Sequence, residues 1–320
     1  MEPIKYDLDF EQPLEELQER IRLLLAEGGE LENPARIQTA REELHLRLQE
    51  IYAHLSPWQT VQVARHKDRP RALDYLHLIC DNFTELHGDR AFGDDPALIG
   101  GLATFHKETV LFLAHQKGRG PKDQQLRNFG MPHPEGYRKA RRLMGMAGKF
   151  KFPLLCLIDT PGAFPGLEDE ERGQSEAIAA NLALMARLPI PIIAVVIGEG
   201  GSGGALAISV ADRLLMLEHS IYTVAAPEAA ASILWRDNSF APLAAEAMRI
   251  SARELLTTGI IDGVIPEPVG GAHRAPVLAA SHLQAALSEH LTALKHYTPE
   301  ELVEIRYQKF RKIGCFTRLE

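Results

Sequence analysis

Apolar residues recur at helical spacing near the start of the chain. Leu14, Leu17, Ile21, Leu24 and Leu25 follow Pro13, and Leu44, Leu48, Ile51 and Leu55 repeat the pattern further on. Gly28-Gly29 through Asn33-Pro34 reads as the turn between them. The pattern predicts a helical hairpin that packs on the main body, on another subunit, or over its own core. From about Pro70 the texture changes to short apolar runs alternating with helical stretches. Val110 to Ala114, Pro153 to Asp159, Ile190 to Ile197, Leu214 to Leu217 and Ile221 to Ala225 read as strands. Gly136 to Phe150 reads as a basic helix, Glu170 to Leu188 as a second, and Ala205 to Ile208 as part of a third. Continuous apolar strands separated by helices indicate a sheet covered on both faces, the α/β class. Pro266-Glu267-Pro268 with Gly270 to His273 reads as a linker, and Ala275 to Lys312 as a C-terminal helical segment. The expected division is an N-terminal helical region over 1–65, a core over 66–274 and a C-terminal helical segment over 275–320.

Composition narrows the class. At 320 residues, 45% hydrophobic and 24% charged, the chain is globular rather than disordered. A net charge of −8 argues against a dedicated nucleic-acid binder. Cys80, Cys156 and Cys315 include no Cys-x-x-Cys pair, which excludes a zinc ribbon and fits a reducing compartment. The first residues lack a signal-peptide layout, and the longest apolar run, Ile190 to Ile197, is too short to span a membrane. A cytoplasmic protein without a metal of its own is expected.

The densest chemical signal is Gly198-Glu199-Gly200-Gly201-Ser202-Gly203-Gly204-Ala205, placed between a strand and a helix. It matches a dinucleotide pattern and a nucleophile elbow, but Gly204-Ala205 stands where a Walker loop needs Lys and Ser or Thr. A dinucleotide site wants an acidic residue about twenty positions on, and Glu218 comes early. A serine hydrolase would use Ser202 with Asp262 and His273 downstream. Glycines retained only for close helix–sheet packing are the bland alternative. The remaining reading uses the main chain: glycines entering a helix expose N–H groups with no intrahelical acceptor and let an oxygen approach closely. Such an arrangement is an oxyanion hole. A second bend, Asp159-Thr160-Pro161-Gly162-Ala163-Phe164-Pro165-Gly166, closes another strand at its carboxyl end, where α/β sheets bind ligands. Asp159 there is either a general base or a turn cap.

Charge patterning adds a third feature. Between His115 and Lys151, ten Lys or Arg face only Asp123 and Glu135, an inversion of sign within an acidic chain. Arg138 to Arg142 fit a solvated helix face. Lys117, Arg119 and Arg127 fall on loop sequence and are the candidates for binding carboxylate or phosphate.

Pro191 to Arg213 and Ser251 to Asp262 resemble the crotonase superfamily, in which a strand, a glycine turn and a helix supply an oxyanion N–H to an acyl-CoA thioester. A more specific resemblance is to the α-subunit family of bacterial acetyl-coenzyme A carboxylase carboxyltransferases. Its residues run in order over nearly the whole chain: Leu8 to Pro13, His115 to Arg119, Asn128 to Pro132, Pro134 to Lys139, Asp159 to Gly166, Glu171 to Ile178, Gly198 to Ala207, Ile265 to Pro268 and Gly270 to Arg274. This resemblance implies a crotonase-like ββα superhelix, framed by the N-terminal helical hairpin and the C-terminal helices. It implies transfer of a carboxyl group from carboxybiotin on a separate biotin carboxyl carrier protein to acetyl-CoA, forming malonyl-CoA for fatty-acid synthesis. It also implies a zinc-ribbon β subunit in an α2β2 assembly, with biotin carboxylase as a further partner. No Met precedes a Lys, so biotin is not attached to this chain. On that basis the backbone N–H groups of Gly203, Gly204, Gly162 and Ala163 are the expected donors to the biotin ureido oxygen. The rival enzymes are a free-standing acyl-CoA hydratase, which needs paired carboxylates such as those in Glu168 to Glu171, and the Ser202 hydrolase. A scaffold without catalysis is the third reading.

Overall fold

The computed structural model describes residues 7–27 and 32–314; Cys315 and the Gly28-Gly29 part of the hairpin turn lie outside them. Eight strands form one mixed sheet: β1 (Asp81–Glu85), β2 (Leu98–Phe105), β3 (Glu108–His115), β4 (Leu154–Thr160), β5 (Ile192–Gly201), β6 (Arg213–Leu217), β7 (Ile221–Thr223) and β8 (Gly263–Ile265). Their order is β1-β2-β3-β4-β5-β6-β8, with β7 paired to the far end of β5. β1, β2 and β3 are antiparallel, and all pairings from β3 to β8 are parallel.

The continuous apolar strands divide with a period of two, as a pleated sheet requires. Leu111, Leu113, Leu154, Cys156, Ile158, Ile192, Ala194 and Val196 point to one face, where they meet Tyr137, Ala140, Leu143, Met144 and Ala147 of the helix Pro134–Phe150. Phe112, Ala114, Leu155, Leu157, Ile193, Val195 and Ile197 point to the other. There they meet Tyr75 and Leu76 of the helix Ala72–Ile79 and Leu283, Leu287 and Leu291 of the helix Pro276–Leu294. Both faces are therefore dry, which is why these strands show no polar alternation. β2 carries a weak pattern because close packing requires its glycines. A Cβ on Gly100 would lie 2.5 Å from Leu143 Cδ1, and one on Gly101 would lie 2.0 Å from the Thr84 carbonyl oxygen.

The structure departs from the sequence pattern in four places. The helix expected over Glu170 to Leu188 is two helices, Leu167–Glu171 and Gln174–Met185, broken at Gly173 with φ +82°. The C-terminal segment is also two helices, Pro276–Leu294 and Pro299–Arg311. Thr298 starts the second through a reciprocal cap with Glu301, a signal that Thr298-Pro299-Glu300-Glu301 carries in sequence. The supposed linker after Pro266 is a packed connection. In the hairpin, Ile21 and Leu24 pack against Ile37 and Ala40 and Leu14 is buried, while Leu48, Ile51 and Leu55 are only half-buried. The hairpin thus covers a small core of its own, and Glu11, which accepts from Tyr52 Oη of its second helix at 2.7 Å, joins it to the body through Arg274 Nη2 at 2.5 Å.

Buried guanidinium groups fasten the remote segments. Arg306 of the last helix donates to Asp212 and to the carbonyls of Met185, Leu188 and Ile190, all at 2.5–3.0 Å. Arg69 reaches Glu267 at 2.6 and 2.9 Å with both side chains fully buried, and Glu267 also accepts from the His219 and Ala272 amides. Burial opposes the Glu267 carboxylate, yet Arg69 and these donors outweigh it and hold the group at about 2. A carboxylate depressed in the folded state stabilises the fold above its unfolded value and loses that contribution as pH falls through the folded one. Wild type should therefore lose on the order of 3 kcal/mol from this group between about pH 4.5 and 2. Glu267→Gln should be destabilised by about 3–5 kcal/mol at neutral pH, because Arg69 is left unpaired, and should lack this part of the acid slope. Urea unfolding of both proteins across that pH range measures the difference.

Candidate active site

The ladder between β4 and β5 changes register at its carboxyl end. Ile158 pairs with Val196, whereas Thr160 pairs with Gly200, so β5 carries two extra residues around Gly198. Gly198 has no room for a side chain there, since a Cβ would lie 2.6 Å from Asp159 Oδ1. Beyond this step β5 pairs with β7 through Glu199, Gly200 and Gly201. Half of the glycine stretch is thus strand rather than loop, and the helix Ser202–Leu206 begins directly after it.

The two bends expected from sequence lie against each other. A Cβ on Gly201 would lie 2.1 Å from the Pro161 carbonyl oxygen. One on Gly204 would lie 2.5 Å from the Gly162 carbonyl carbon and 2.6 Å from the Ala163 nitrogen. Only backbone fits between them. Ser202, Gly203 and Gly204 open the helix with no side-chain cap, so their N–H groups have no intrahelical acceptor. Gly162 is different. Its N–H donates to Thr160 Oγ1 at 3.1 Å, and that hydroxyl donates back to the Gly162 carbonyl at 2.8 Å. The Gly162 amide is therefore engaged within its own turn, whereas the Ala163 nitrogen packs against Gly204 and the Gly203 and Gly204 amides lie in the first turn of the helix. His115, fully buried, lies against the Gly204 backbone, and burial pushes its imidazole down to about 3, so it is neutral there.

Two clefts meet at Ser202 and Gly203. One, of about 700 Å³, runs along Pro161 to Leu167, Glu170, Gln174, Ile178, Ala225, Ala226 and Ala229. The other, of about 520 Å³, is apolar and lined by Leu206, Tyr222, Met248, Ile250, Leu255 and Ile260. Val224, 82% exposed, borders both. The wall of the larger cleft is fixed from behind. The Phe164 amide donates to the Pro132 carbonyl at 3.0 Å, and Gln174 Nε2 donates to the carbonyls of Pro132 and Phe164, each at 3.0 Å. His133 Nδ1 lies 2.5 Å from Asp169 Oδ1, with its ring 4.6 Å from that of Phe164.

The cations singled out in sequence are partnered. Lys117 is held between Asp159 and Glu199, Arg127 between Asp123 and the Pro96 carbonyl, and Arg119 by Asp74. Arg119 is half-exposed, whereas Lys117 and Arg127 are largely covered. Asp159 is neither base nor cap. Burial opposes its charge, but Lys117 and Arg71 outweigh it and lower its pKa, favouring the ionised form. The hydrolase reading loses its partners, since Asp262 binds Lys309 and the Leu214 amide, while His273 stacks on His66 at 4.0 Å. Of the carboxylates in Glu168 to Glu171, Glu170 alone lines the cleft; Asp169 is buried against His133 and Glu168 pairs with Arg172. Sequence reasoning missed Glu199, Arg65 and Arg71. The available signal was an acidic residue inside a buried strand, which requires a cationic partner.

A family profile described as acetyl co-enzyme A carboxylase carboxyltransferase-like matches residues 7–314. The acetyl-coenzyme A carboxylase carboxyl transferase subunit alpha of Heliobacterium modesticaldum is 53% identical over 309 residues, covering 96% of this chain and 92% of the relative. That of Nostoc punctiforme is 54% identical over 314 residues, covering 98% and 96%. Among solved structures, transcarboxylase 12S superposes with a TM-score of 0.56 at 22% identity, over 68% of this chain and 41% of that one. A Pseudomonas malonate decarboxylase hetero-tetramer in complex with coenzyme A gives 0.58 at 20%, over 73% and 91%. At these identities the structural likeness shows the fold, that of the crotonase-like carboxyltransferases. The chain has no helix among the described residues long and apolar enough to cross a membrane.

The glycines at the junction make separable demands. Gly204→Ala should destabilise the protein by about 1–3 kcal/mol, because its Cβ forces the two bends apart. Gly203→Ala, whose Cβ meets only Ile178 at 3.6 Å, should stay within about 0.5 kcal/mol of wild type. Chemical denaturation of the two variants tests the difference.

Proposed function

Because the chain belongs to the acetyl co-enzyme A carboxylase carboxyltransferase-like family, we propose that it moves a carboxyl group from carboxybiotin to acetyl-CoA, working with a β subunit to give malonyl-CoA. The enzyme is a carboxyltransferase. The relatives are called subunit alpha, and a subunit so named implies others. In this reading the partner is a zinc-ribbon β subunit in an α2β2 assembly, and biotin arrives on a separate carrier protein charged by biotin carboxylase. The setting is the cytoplasm, and the metal belongs to the partner. Residues 66–274 form the carboxyltransferase core, with 1–65 and 275–320 framing it.

The observation that supports this chemistry is the backbone-only contact of the two bends, where a Cβ on Gly204 would overlap the Gly162–Ala163 peptide at the start of the helix that Ser202 and Gly203 open. Carboxybiotin supplies the carboxyl group and takes up negative charge on its ureido oxygen as that group leaves. The protein answers that charge with N–H donors that are already oriented and need no reorganisation, each worth about 2.7–4 kcal/mol of transition-state stabilisation. Thr160 fixes the turn that presents Ala163. The wall formed by Phe164, Gln174 and Pro132 shapes the cleft beside it. A neutral His115 beneath Gly204 adds no competing charge. Of the three cations expected to bind carboxylate or phosphate, Arg119, paired with Asp74, is the most exposed and the one left for such a contact, and Lys117 and Arg127 serve the scaffold.

Co-purification with the zinc-ribbon partner, followed by an assay of malonyl-CoA formation, tests the reading. The assembled enzyme should transfer, and the chain alone should show neither transfer nor hydration of enoyl-CoA. Hydratase activity of the isolated chain would sink the proposal. Ser202→Ala should keep kcat within about threefold of wild type, whereas Gly204→Ala should lose about a hundredfold or more. Equal losses in both variants would point instead to covalent chemistry at Ser202.

A further inference from the structure

Lys117, Asp159 and Glu199 form a charged cluster behind the two bends. Lys117 Nζ lies 2.8 Å from Asp159 Oδ1 and 3.3 Å from Glu199 Oε2. The Glu199 amide donates to Asp159 Oδ1 at 3.1 Å, so the two strand ends meet at this oxygen as well. Each carboxylate also has a cation of its own: Arg71 on Asp159 at 3.2 Å and Arg65 on Glu199 at 2.6 Å. Arg65 continues to Glu228, at 2.6 Å, on the helix Pro227–Trp235 that borders the larger cleft. Lys117 is the ammonium shared between β4 and β5.

The sequence positions give this sharing its meaning. Asp159 stands four residues before Ala163, and Glu199 four residues before Gly203. A change in the separation of the two carboxylates is a change in the separation of the two sets of amides. Two buried carboxylates this close repel each other strongly in a low-dielectric setting unless a cation lies between them. Lys117 is itself covered, with 13% of its side chain exposed, and it does not line either cleft. Its stem is roofed by a turn in which Asn128, Phe129 and Gly130 all adopt positive φ, at 47°, 55° and 80°. Gly130 sits so close that a Cβ would lie 2.5 Å from Lys117 Cγ. Strained backbone of this kind persists only where its surroundings hold it.

We infer that Lys117 is a positioning residue for carboxyl transfer, setting the spacing of the β4 and β5 ends and so aiming the amides of Ala163, Gly203 and Gly204 at one oxygen. The inference rests on the proposed function. It assigns Lys117 a role different from the one its charge suggests in the sequence, since the ammonium meets the protein's own carboxylates rather than those of a ligand.

Steady-state kinetics of the chain assembled with its β partner, with each substrate varied in turn, tests this. Lys117→Met should lower kcat about a hundredfold per folded enzyme, with KM for acetyl-CoA and for the biotin donor within about twofold of wild type. Lys117→Arg, able to reach both carboxylates, should recover kcat to within about tenfold of wild type. Glu199→Gln preserves shape while weakening the shared contact and should lose about tenfold in kcat with the same KM pattern. It decides the matter if Lys117→Met fails to assemble. A raised KM for the biotin donor with kcat intact would mean that Lys117 touches substrate, and wild-type kinetics in Glu199→Gln would mean that the cluster sets nothing; either overturns the inference. Absence of transfer by the wild-type assembly is the separate result that overturns the functional reading itself.

Discussion

The whole site depends on how closely the carboxyl ends of β4 and β5 approach one another. Gly198, Gly201 and Gly204 each face an atom that a Cβ would overlap: Asp159 Oδ1, the Pro161 carbonyl and the Gly162–Ala163 peptide. A side chain at any of these positions would widen the gap and separate the amides on either side of it. Steric exclusion, rather than flexibility, is therefore the reason for glycine at this junction. It also decides the type of chemistry available. Where only backbone fits, the protein can offer N–H donors and little else, and such donors stabilise developing negative charge without becoming reactive themselves.

Much of this was legible in the sequence, and the remainder has identifiable physical causes. The strands Val110 to Ala114, Pro153 to Asp159 and Ile190 to Ile197 stood out because both faces of the sheet are dry, so the apolar runs are unbroken. The glycine bends were visible as bends. Their mutual contact was not, because it depends on the register step at Asp159, which no local pattern encodes. The glycines of β5 looked like loop because pairing to the three-residue β7, rather than strand propensity, makes them strand. The Gly162 amide looked available until Thr160, two positions back, was found to take it. Hydroxyl-to-amide contacts of that range are local, and Thr160-Pro161-Gly162 was a readable cue for one.

Charge gave the most misleading signal. A run of ten cations between His115 and Lys151 suggested an anion-binding surface. In the structure many of them answer acidic residues from other parts of the chain. Arg138 reaches Asp89, Lys139 reaches Asp94 at 2.5 Å, and Lys117 reaches Asp159 and Glu199. Local charge density counts neighbours in sequence, whereas electrostatic balance is settled in space. The same correction applies to Asp159. It looked like a candidate base at a strand end, but it is buried between two cations that keep it charged and make it a poor acceptor of a proton.

A site built from amides can stabilise charge but cannot by itself supply a base to create a carbon nucleophile. The titratable groups behind the junction fit that limit: His115 is neutral and fully buried, and Asp159 and Glu199 are ion-paired, which leaves Glu170 as the carboxylate lining the larger cleft. Ser202, exposed and with φ +53°, has among the described residues no imidazole or carboxylate partner of the kind a nucleophile requires. At the junction itself, a proton acceptor has then to come with the ligands, from a partner's surface or from Glu170 along the larger cleft. Carboxyl transfer from a urea-type carrier satisfies this without a protein base, because the oxygen that gains charge as the carboxyl group departs is itself basic. Hydration and ester hydrolysis, in contrast, each require a side chain to activate water or a hydroxyl. The arrangement that leaves Ser202 without a base beside it is the one that suits a bend of amides to an anionic leaving group.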